Sequence, residues 1–152
     1  RIDENEIGVA GHSSGGDFAV DTLLREDTPI SRFIVGSFGT DVLDATLAER
    51  EVAFANRTSD QALKVFCGYG VAEHTDPFLK EYIERGLALM GRLQVNGPDN
   101  LSMIVRGFER ETHGSVFPHI FSSGYRELWG TGLSFVEAVS LASGEVETSI
   151  EG

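Results

Sequence analysis

The chain has 152 residues, of which 24 are acidic and 12 are basic, so its formal net charge at pH 7 is −12. This length suits one globular domain, and the acidic balance without a Lys or Arg cluster argues against binding to nucleic acid or to an anionic membrane. No apolar run approaches the roughly 18 residues of a membrane span, and Cys67, the single cysteine, excludes an intrachain disulfide and a cysteine-based metal site.

Short β-branched runs alternate with longer amphipathic segments along the chain. Strands are predicted at 6–11, 31–38, 62–69 and 101–108, and helices at 13–26, 41–57, 76–94 and 116–130. This alternation predicts an α/β fold with a mostly parallel sheet of about four strands and flanking helices. The domain is predicted to span residues 1–130, and the acidic tail at 131–152 to be either a docked helix or a frayed end.

Capping residues predict where the helices start, and apolar periodicity predicts which helix face is buried. Asp41 is a plausible N-cap of the second helix, and Asp76 is the expected N-cap of the third because Pro77 follows it at the first helical position. The first helix is predicted to bury a stripe formed by Phe18, Val20, Leu23 and Leu24.

Two adjacent serines lie in a glycine-rich turn between the first strand and the first helix. The stretch GHSSG fits the pattern G-x-S-x-G, with Ser13 at the nucleophile position of a strand-to-helix turn. Glycine is expected at Gly11 and Gly15 because a Cβ there would strike the neighbouring elements, and at Gly16 because the helix must approach the sheet. The Ser14 N–H, at the helix N-terminus, is placed to stabilise an oxyanion.

Other glycine-rich motifs fit this turn less well. A phosphate-binding P-loop needs a Lys directly before its Ser or Thr, and a dinucleotide fingerprint needs the spacing G-x-G-x-x-G; the turn has neither. The remaining alternative is a turn whose serines only cap the helix. We therefore expect no cofactor here, and the histidines lack the short spacing of a metal site.

A serine nucleophile needs a general base, and the base needs an orienting group. His113 lies in the segment ETHGSVFP just after the last predicted strand, which is where an α/β-hydrolase carries its base. The other three histidines are less suitable. His12 lies inside the turn and is expected to point away from Ser13, His74 follows the third strand beside an acidic residue, and His119 lies in the last helix.

The acid is expected after the third strand, where Glu73 and Asp76 both lie. Asp76 is committed to capping a helix, whereas Glu73 has no such role and a longer side chain. We predict that the Glu73 carboxylate lies within hydrogen-bond reach of one ring nitrogen of His113, with Ser13 near the other. Asp76 as the acid, and a Ser–His dyad without an acid, remain alternatives.

The motifs GHSSGG and THGSVFP, with the closing segment GYRELWG, resemble the esterase branch of the α/β-hydrolases. That branch includes the enterobactin-type siderophore esterases and is related to esterase D and the mycolyltransferases. The resemblance covers Gly8 to about Gly130 and implies hydrolysis of carboxylic esters, with Ser13 as nucleophile, His113 as base and a carboxylate near Glu73. One departure is GSFGT at 36–40, where a Ser-Pro-Ser-type stretch is expected in the pocket wall.

Several strands precede the nucleophile turn in this family, whereas one is predicted here, and the second oxyanion donor comes from an earlier loop. The strand at 6–11 would then have an open edge. We therefore expect the chain to be the C-terminal half of an α/β-hydrolase fold, with a partner chain or an N-terminal half covering that edge. The expected ligand is a small-molecule ester; the alternative is a non-catalytic binding module or an inactive fragment.

Overall fold

A computed structural model describes residues 6–40 and 46–130 of the chain. This part contains four strands, four α-helices and, after the third strand, a 3-10 helix at Val71–Thr75. In chain order the strands and α-helices are β1 (Gly8–His12), α1 (Ser14–Leu23), β2 (Arg32–Gly36), α2 (Leu47–Ala55), β3 (Leu63–Gly70), α3 (Lys80–Asn96), β4 (Leu101–Phe108) and α4 (Phe117–Trp129).

The four strands form one parallel sheet in the order β1-β2-β3-β4, which confirms the predicted α/β architecture. All five residues of β2 are buried, as expected for an inner strand that helices cover on both faces. Because the strands are parallel, their carboxyl ends lie at one edge of the sheet. The loops that carry the candidate site residues all leave from this edge.

The sheet separates two apolar clusters. On one face, α1, α2 and α3 pack against the sheet through side chains such as Val20, Phe54 and Leu89. On the other face, α4 packs through Ile120 and Leu128 against the opposite side of β2 and β3. No helix within 6–40 and 46–130 is both long enough and apolar enough to cross a lipid bilayer.

Cys67 lies in the first of these clusters and is 1% exposed. Burial raises the pKa of its thiol to about 12, so the side chain stays protonated at physiological pH. It therefore behaves as a small apolar core residue, as its apolar sequence context indicates.

Two details of the predicted helices are wrong. Phe18 is 62% exposed, because the face of α1 that meets the sheet carries Val20 and Leu23, and Phe18 lies on the opposite side of the helix. The third helix begins only at Lys80, since Asp76 caps the turn that precedes it. Asp41 and the tail at 131–152 lie outside the described residues.

The glycines of the turn that carries Ser13 have different steric roles. A Cβ at Gly11 would lie 1.9 Å from the carbonyl oxygen of Gly15, and a Cβ at Gly16 would lie 2.7 Å from that of Gly36. Both contacts are with backbone, which cannot move aside cheaply. A Cβ at Gly15 would meet nothing within 4 Å. The steric prediction is therefore right for Gly11 and Gly16 and wrong for Gly15.

Gly11→Ala is expected to lower the free energy of unfolding by about 1–3 kcal/mol or more, because the added Cβ overlaps backbone atoms. Gly15→Ala is the matched control: it adds the same methyl group in open space on a helix, and should raise stability by up to about 1 kcal/mol. Urea unfolding of the two variants and the parent measures the difference. Similar effects in both variants would contradict this account of the turn.

Candidate active site

Ser13 has the strained backbone of a tight strand-to-helix turn. Its φ and ψ are 57° and −126°, outside the regions that residues with a Cβ usually occupy. Its N–H donates to the carbonyl oxygen of Gly36 at 2.8 Å, and its own carbonyl oxygen accepts the N–H groups of Gly16 and Asp17. The turn is thus held on both sides, and Ser13 is fixed at the carboxyl edge of the sheet.

His113 lies in the loop after β4, with its ring between two side chains from other strand ends. Nε2 is 3.0 Å from Ser13 Oγ, and Nδ1 is 3.3 Å from Glu73 Oε2. With the proton of the neutral ring on Nδ1, this nitrogen donates to the carboxylate and Nε2 accepts the hydroxyl proton. The structure therefore brings together the three side chains that the sequence predicts to meet; their chemical roles remain predictions.

Glu73 is 1% exposed, and two donors hold Oε1, the carboxylate oxygen that does not face His113. Oε1 accepts the N–H of Gly70 at 2.9 Å and the hydroxyl of Ser37 at 2.7 Å, which leaves Oε2 to face His113. A buried carboxylate needs such partners, because an unpaired one would be strongly destabilising. The orientation of Glu73 is therefore fixed from the side opposite His113.

Asp76, the alternative acid, is occupied elsewhere. Its Oδ1 accepts the N–H groups of Phe78 at 2.8 Å and Leu79 at 3.1 Å, so it caps the turn before α3. Within the described residues, it makes no contact with His113. This geometry favours Glu73 over Asp76 as the partner of His113.

His12 contacts His113, which the sequence did not predict. The two ring centres are 4.6 Å apart, and the Phe117 ring makes an edge-to-face contact with His12 at a centre-to-centre distance of 5.5 Å. His12 Nε2 is buried and has no hydrogen-bond partner in the part of the chain described. Burial, followed by the charge of His113, lowers the pKa of His12 below its ordinary 6.5, although Glu73 and a backbone hydrogen bond to His113 oppose the shift.

The other two histidines lie outside this cluster. His74 is 3.9 Å from a carboxylate oxygen of Glu84, and His119 is 3.3 Å from one of Glu111. Across residues 6–40 and 46–130, no group of three or more His, Cys, Asp or Glu side chains is arranged to hold a metal ion.

Asp17 and Tyr82 lie beside Ser13, and sequence reasoning missed both. The Asp17 carboxylate, 3% exposed, accepts the N–H of Gly39 at 2.9 Å and the hydroxyl of Tyr82 at 3.1 Å. Burial, followed by Asp17, raises the pKa of Tyr82 to about 12, while Gly39 and Ser13 act in the opposite direction. Tyr82 therefore stays protonated at physiological pH. The one signal in the sequence was a charged residue on the apolar face of α1.

A cleft of about 470 Å³ opens next to Ser13 between α1 and α3. Asp17 and Tyr82 line it together with Phe78 and Arg85 from the α3 side. A Cβ at Gly39 would lie 2.2 Å from the Tyr82 ring, so the glycine in the loop after β2 is what allows the ring to pack there. Within the segment GSFGT, Gly39 therefore packs against a side chain that lines the cleft, and the segment itself is not part of the lining.

Comparison with known proteins finds similarity at the level of the fold. No family model and no curated protein matches the sequence. Siderophore hydrolase EstB from Aspergillus nidulans superposes with a TM-score of 0.65 at 18% identity, covering 83% of this chain and 50% of that one. An IroE-like serine hydrolase from Shewanella oneidensis superposes with a TM-score of 0.65 at 19% identity, and the match covers 93% of this chain and 48% of that one. The BES protein from Bacillus cereus superposes with a TM-score of 0.61 at 24% identity, and the match covers 78% of this chain and 43% of that one.

The chain spans about half the length of these solved structures. The likeness shows that it shares the fold of the matched part of these structures, a parallel sheet with flanking helices.

Acidification is expected to destabilise the fold through His12. Because the pKa of His12 is lowered on folding, the unfolded chain takes up a proton near pH 6.5, whereas the folded chain does so only at lower pH. The free energy of unfolding should therefore fall as the pH drops below 6.5. His12→Gln, which cannot titrate, should lose less stability in urea unfolding between about pH 7.5 and about pH 5.5. Equal losses in both proteins would count against this assignment.

Proposed function

We propose that the chain carries the catalytic residues of a serine hydrolase that cleaves carboxylic esters through an acyl-enzyme. The observation that supports this most strongly is the position of the His113 ring, with Ser13 Oγ at 3.0 Å from one nitrogen and Glu73 Oε2 at 3.3 Å from the other. A nucleophile in contact with a base that is oriented by a third group is the arrangement that acyl transfer requires.

In the acylation step, His113 Nε2 takes the proton of Ser13 as Oγ bonds to the ester carbonyl carbon. The resulting imidazolium is stabilised by the carboxylate of Glu73, which stays ionised. The tetrahedral intermediate collapses when the bond to the leaving alcohol breaks and His113 returns the proton to the alcohol oxygen. A water molecule then attacks the acyl group of Ser13 by the same route, and the acid is released.

The negative charge on the carbonyl oxygen needs donors close to Ser13. The N–H of Ser14 lies at the N-terminus of α1, where the first N–H groups have no acceptor within the helix and the helix dipole favours an anion. Preorganised donors of this kind supply a large share of the rate enhancement in acyl transfer. Ser14 therefore acts through its backbone.

The substrates we propose are siderophore-like or other small esters. Two of the structural neighbours are named a siderophore hydrolase and an IroE-like serine hydrolase, and the cleft of about 470 Å³ beside Ser13 suits a small molecule. Phe78, which is 89% exposed at this cleft, gives an ester an apolar surface to contact.

We also propose that a further strand, from a partner chain or an N-terminal half, covers the open edge of β1. Gly8 and Ala10 are exposed on this edge strand, and an apolar groove runs beside it along Tyr125 and Trp129. Within residues 6–40 and 46–130 no strand pairs with this edge of β1, and an edge strand presents a row of N–H and C=O groups with which another strand can pair. A segment docked there is also positioned to supply the second oxyanion donor that this fold takes from an upstream loop.

Ser13→Ala should abolish ester hydrolysis, with a loss of at least about 10⁴-fold in kcat, because no other group replaces the nucleophile. It should also abolish covalent labelling by a fluorophosphonate probe, and we expect mass spectrometry to locate this label on Ser13 in the parent protein. Ser102→Ala, which removes an exposed serine of β4, is the control and should label normally. Undiminished labelling of Ser13→Ala would refute the nucleophile. Failure of the parent to label, with the complementary segment supplied, would favour a non-catalytic binding module.

Glu73→Gln should lower kcat by about 10³–10⁴-fold with little change in KM, because the amide can present its N–H₂ to His113 and favour the wrong tautomer. Asp76→Asn is the matched carboxylate-to-amide control, since asparagine is also a good capping residue and Asp76 does not touch the His113 ring. Its kcat should stay within about twofold of the parent. A larger loss in Asp76→Asn than in Glu73→Gln would reverse the two roles.

A further inference from the structure

We propose that Ser37 is a positioning residue that holds the Glu73 carboxylate in the orientation His113 needs. This inference rests on the proposed function and extends it to a residue in the loop after β2. It is carried by the backbone conformation of Ser37, by the contact its hydroxyl makes, and by its place relative to Ser13.

The backbone of Ser37 is one that favours glycine. Its φ is 40°, and only three described residues other than glycine have a positive φ: Ser13, Ser37 and Arg110. A Cβ is strained in this region, whereas glycine adopts it freely. Strained conformations persist only where the surrounding structure holds them in place, and they cluster at functional sites. Ser37 is also 1% exposed, so its side chain does not serve contact with solvent.

The contribution of the Ser37 side chain is one short hydrogen bond. Its hydroxyl donates to Glu73 Oε1 at 2.7 Å, since an ionised carboxylate can only accept. The N–H of Gly70 donates to the same oxygen at 2.9 Å. Two donors on Oε1 fix the plane of the carboxylate and leave Oε2 for Nδ1 of His113. Without the Ser37 hydroxyl, Oε1 keeps one of these two donors, the N–H of Gly70, and the plane of the carboxylate is less restrained.

Ser37 occupies the same place after β2 that Ser13 occupies after β1. The Ser13 N–H donates to the carbonyl oxygen of Gly36 at 2.8 Å, and the Ser37 N–H donates to that of Gly68 at 2.9 Å. Each serine is therefore the first residue beyond its strand, paired with the adjacent strand and turned by a positive φ. One turn directs a hydroxyl to the nitrogen of His113, and the other directs a hydroxyl to the carboxylate that orients His113.

Replacement by glycine separates this role from a purely structural one. Ser37→Gly relieves the backbone strain, so its melting temperature should be equal to or above that of Ser37→Ala, which keeps the strain. Both variants lack the hydroxyl, and both should lower kcat for para-nitrophenyl acetate by about tenfold or more with KM nearly unchanged. Ser123→Ala removes a buried serine of α4 outside this cluster and should leave kcat unchanged.

A double-mutant cycle tests whether Ser37 acts through Glu73. In a Glu73→Gln background, Ser37→Gly should lower kcat by less than about twofold, because the carboxylate that it orients is absent. If the double variant instead lost kcat by the product of the two single losses, Ser37 would act on some other part of the site, and the proposal would be overturned.

A second readout does not depend on turnover. The Nδ1 proton of His113, hydrogen-bonded to a carboxylate, should give a downfield proton resonance in NMR of the full chain, absent in His113→Gln. Ser37→Gly should shift or broaden this resonance, and Ser123→Ala should not. A parent-like resonance and kcat in Ser37→Gly would overturn the role of Ser37 even where Ser13→Ala is inactive. If Ser13→Ala remained active, the proposed function would fail, and the resonance would still report on Ser37.

Discussion

The arrangement of the site depends on the register of the parallel strands. Gly36 of β2 pairs with His12 of β1 on one side and with Gly68 of β3 on the other, so β1 and β2 end in the same row. The residues that follow, Ser13 and Ser37, are thereby placed side by side, and both bond back to the ladder. A shift of one strand by one residue would turn either hydroxyl to the opposite face of the sheet.

Close approach of helix to sheet is the second requirement, and it explains where glycine is needed. Gly16 allows α1 to lie against the loop after β2, and Gly86 allows α3 to lie against the same loop at Phe38, where a Cβ would be 2.2 Å from the carbonyl oxygen. The loop after β2 therefore lies between α1 and α3. The buried carboxylate of Asp17, on α1, accepts hydrogen bonds from Gly39 in this loop and from Tyr82 on α3.

The sequence was informative where a signal is local. Apolar periodicity predicts the strands and most of the buried face of α1, with Phe18 as the exception, and the G-x-S-x-G turn places Ser13 at a strand end. Ser13, Glu73 and His113 each follow a different strand, β1, β3 and β4, so the sequence predicts that all three lie at the carboxyl edge of the sheet. What the sequence could not supply is contact between distant residues, such as Tyr82 with Asp17, 65 residues apart. Nor does it reveal the sign of φ at Ser37, on which the direction of the hydroxyl depends.

The charge balance around His113 connects these details. In the proposed mechanism an imidazolium forms at His113, whose Nδ1 is 3.3 Å from Glu73 Oε2 and whose ring centre is 4.6 Å from that of His12. If His12 were charged, its repulsion would offset much of the attraction from Glu73, since both neighbours lie in a partly dehydrated setting. The lowered pKa of His12 keeps that ring neutral, so Glu73 acts on His113 unopposed. The proposed site therefore depends on the neutral ring of His12 as well as on the orientation of the Glu73 carboxylate.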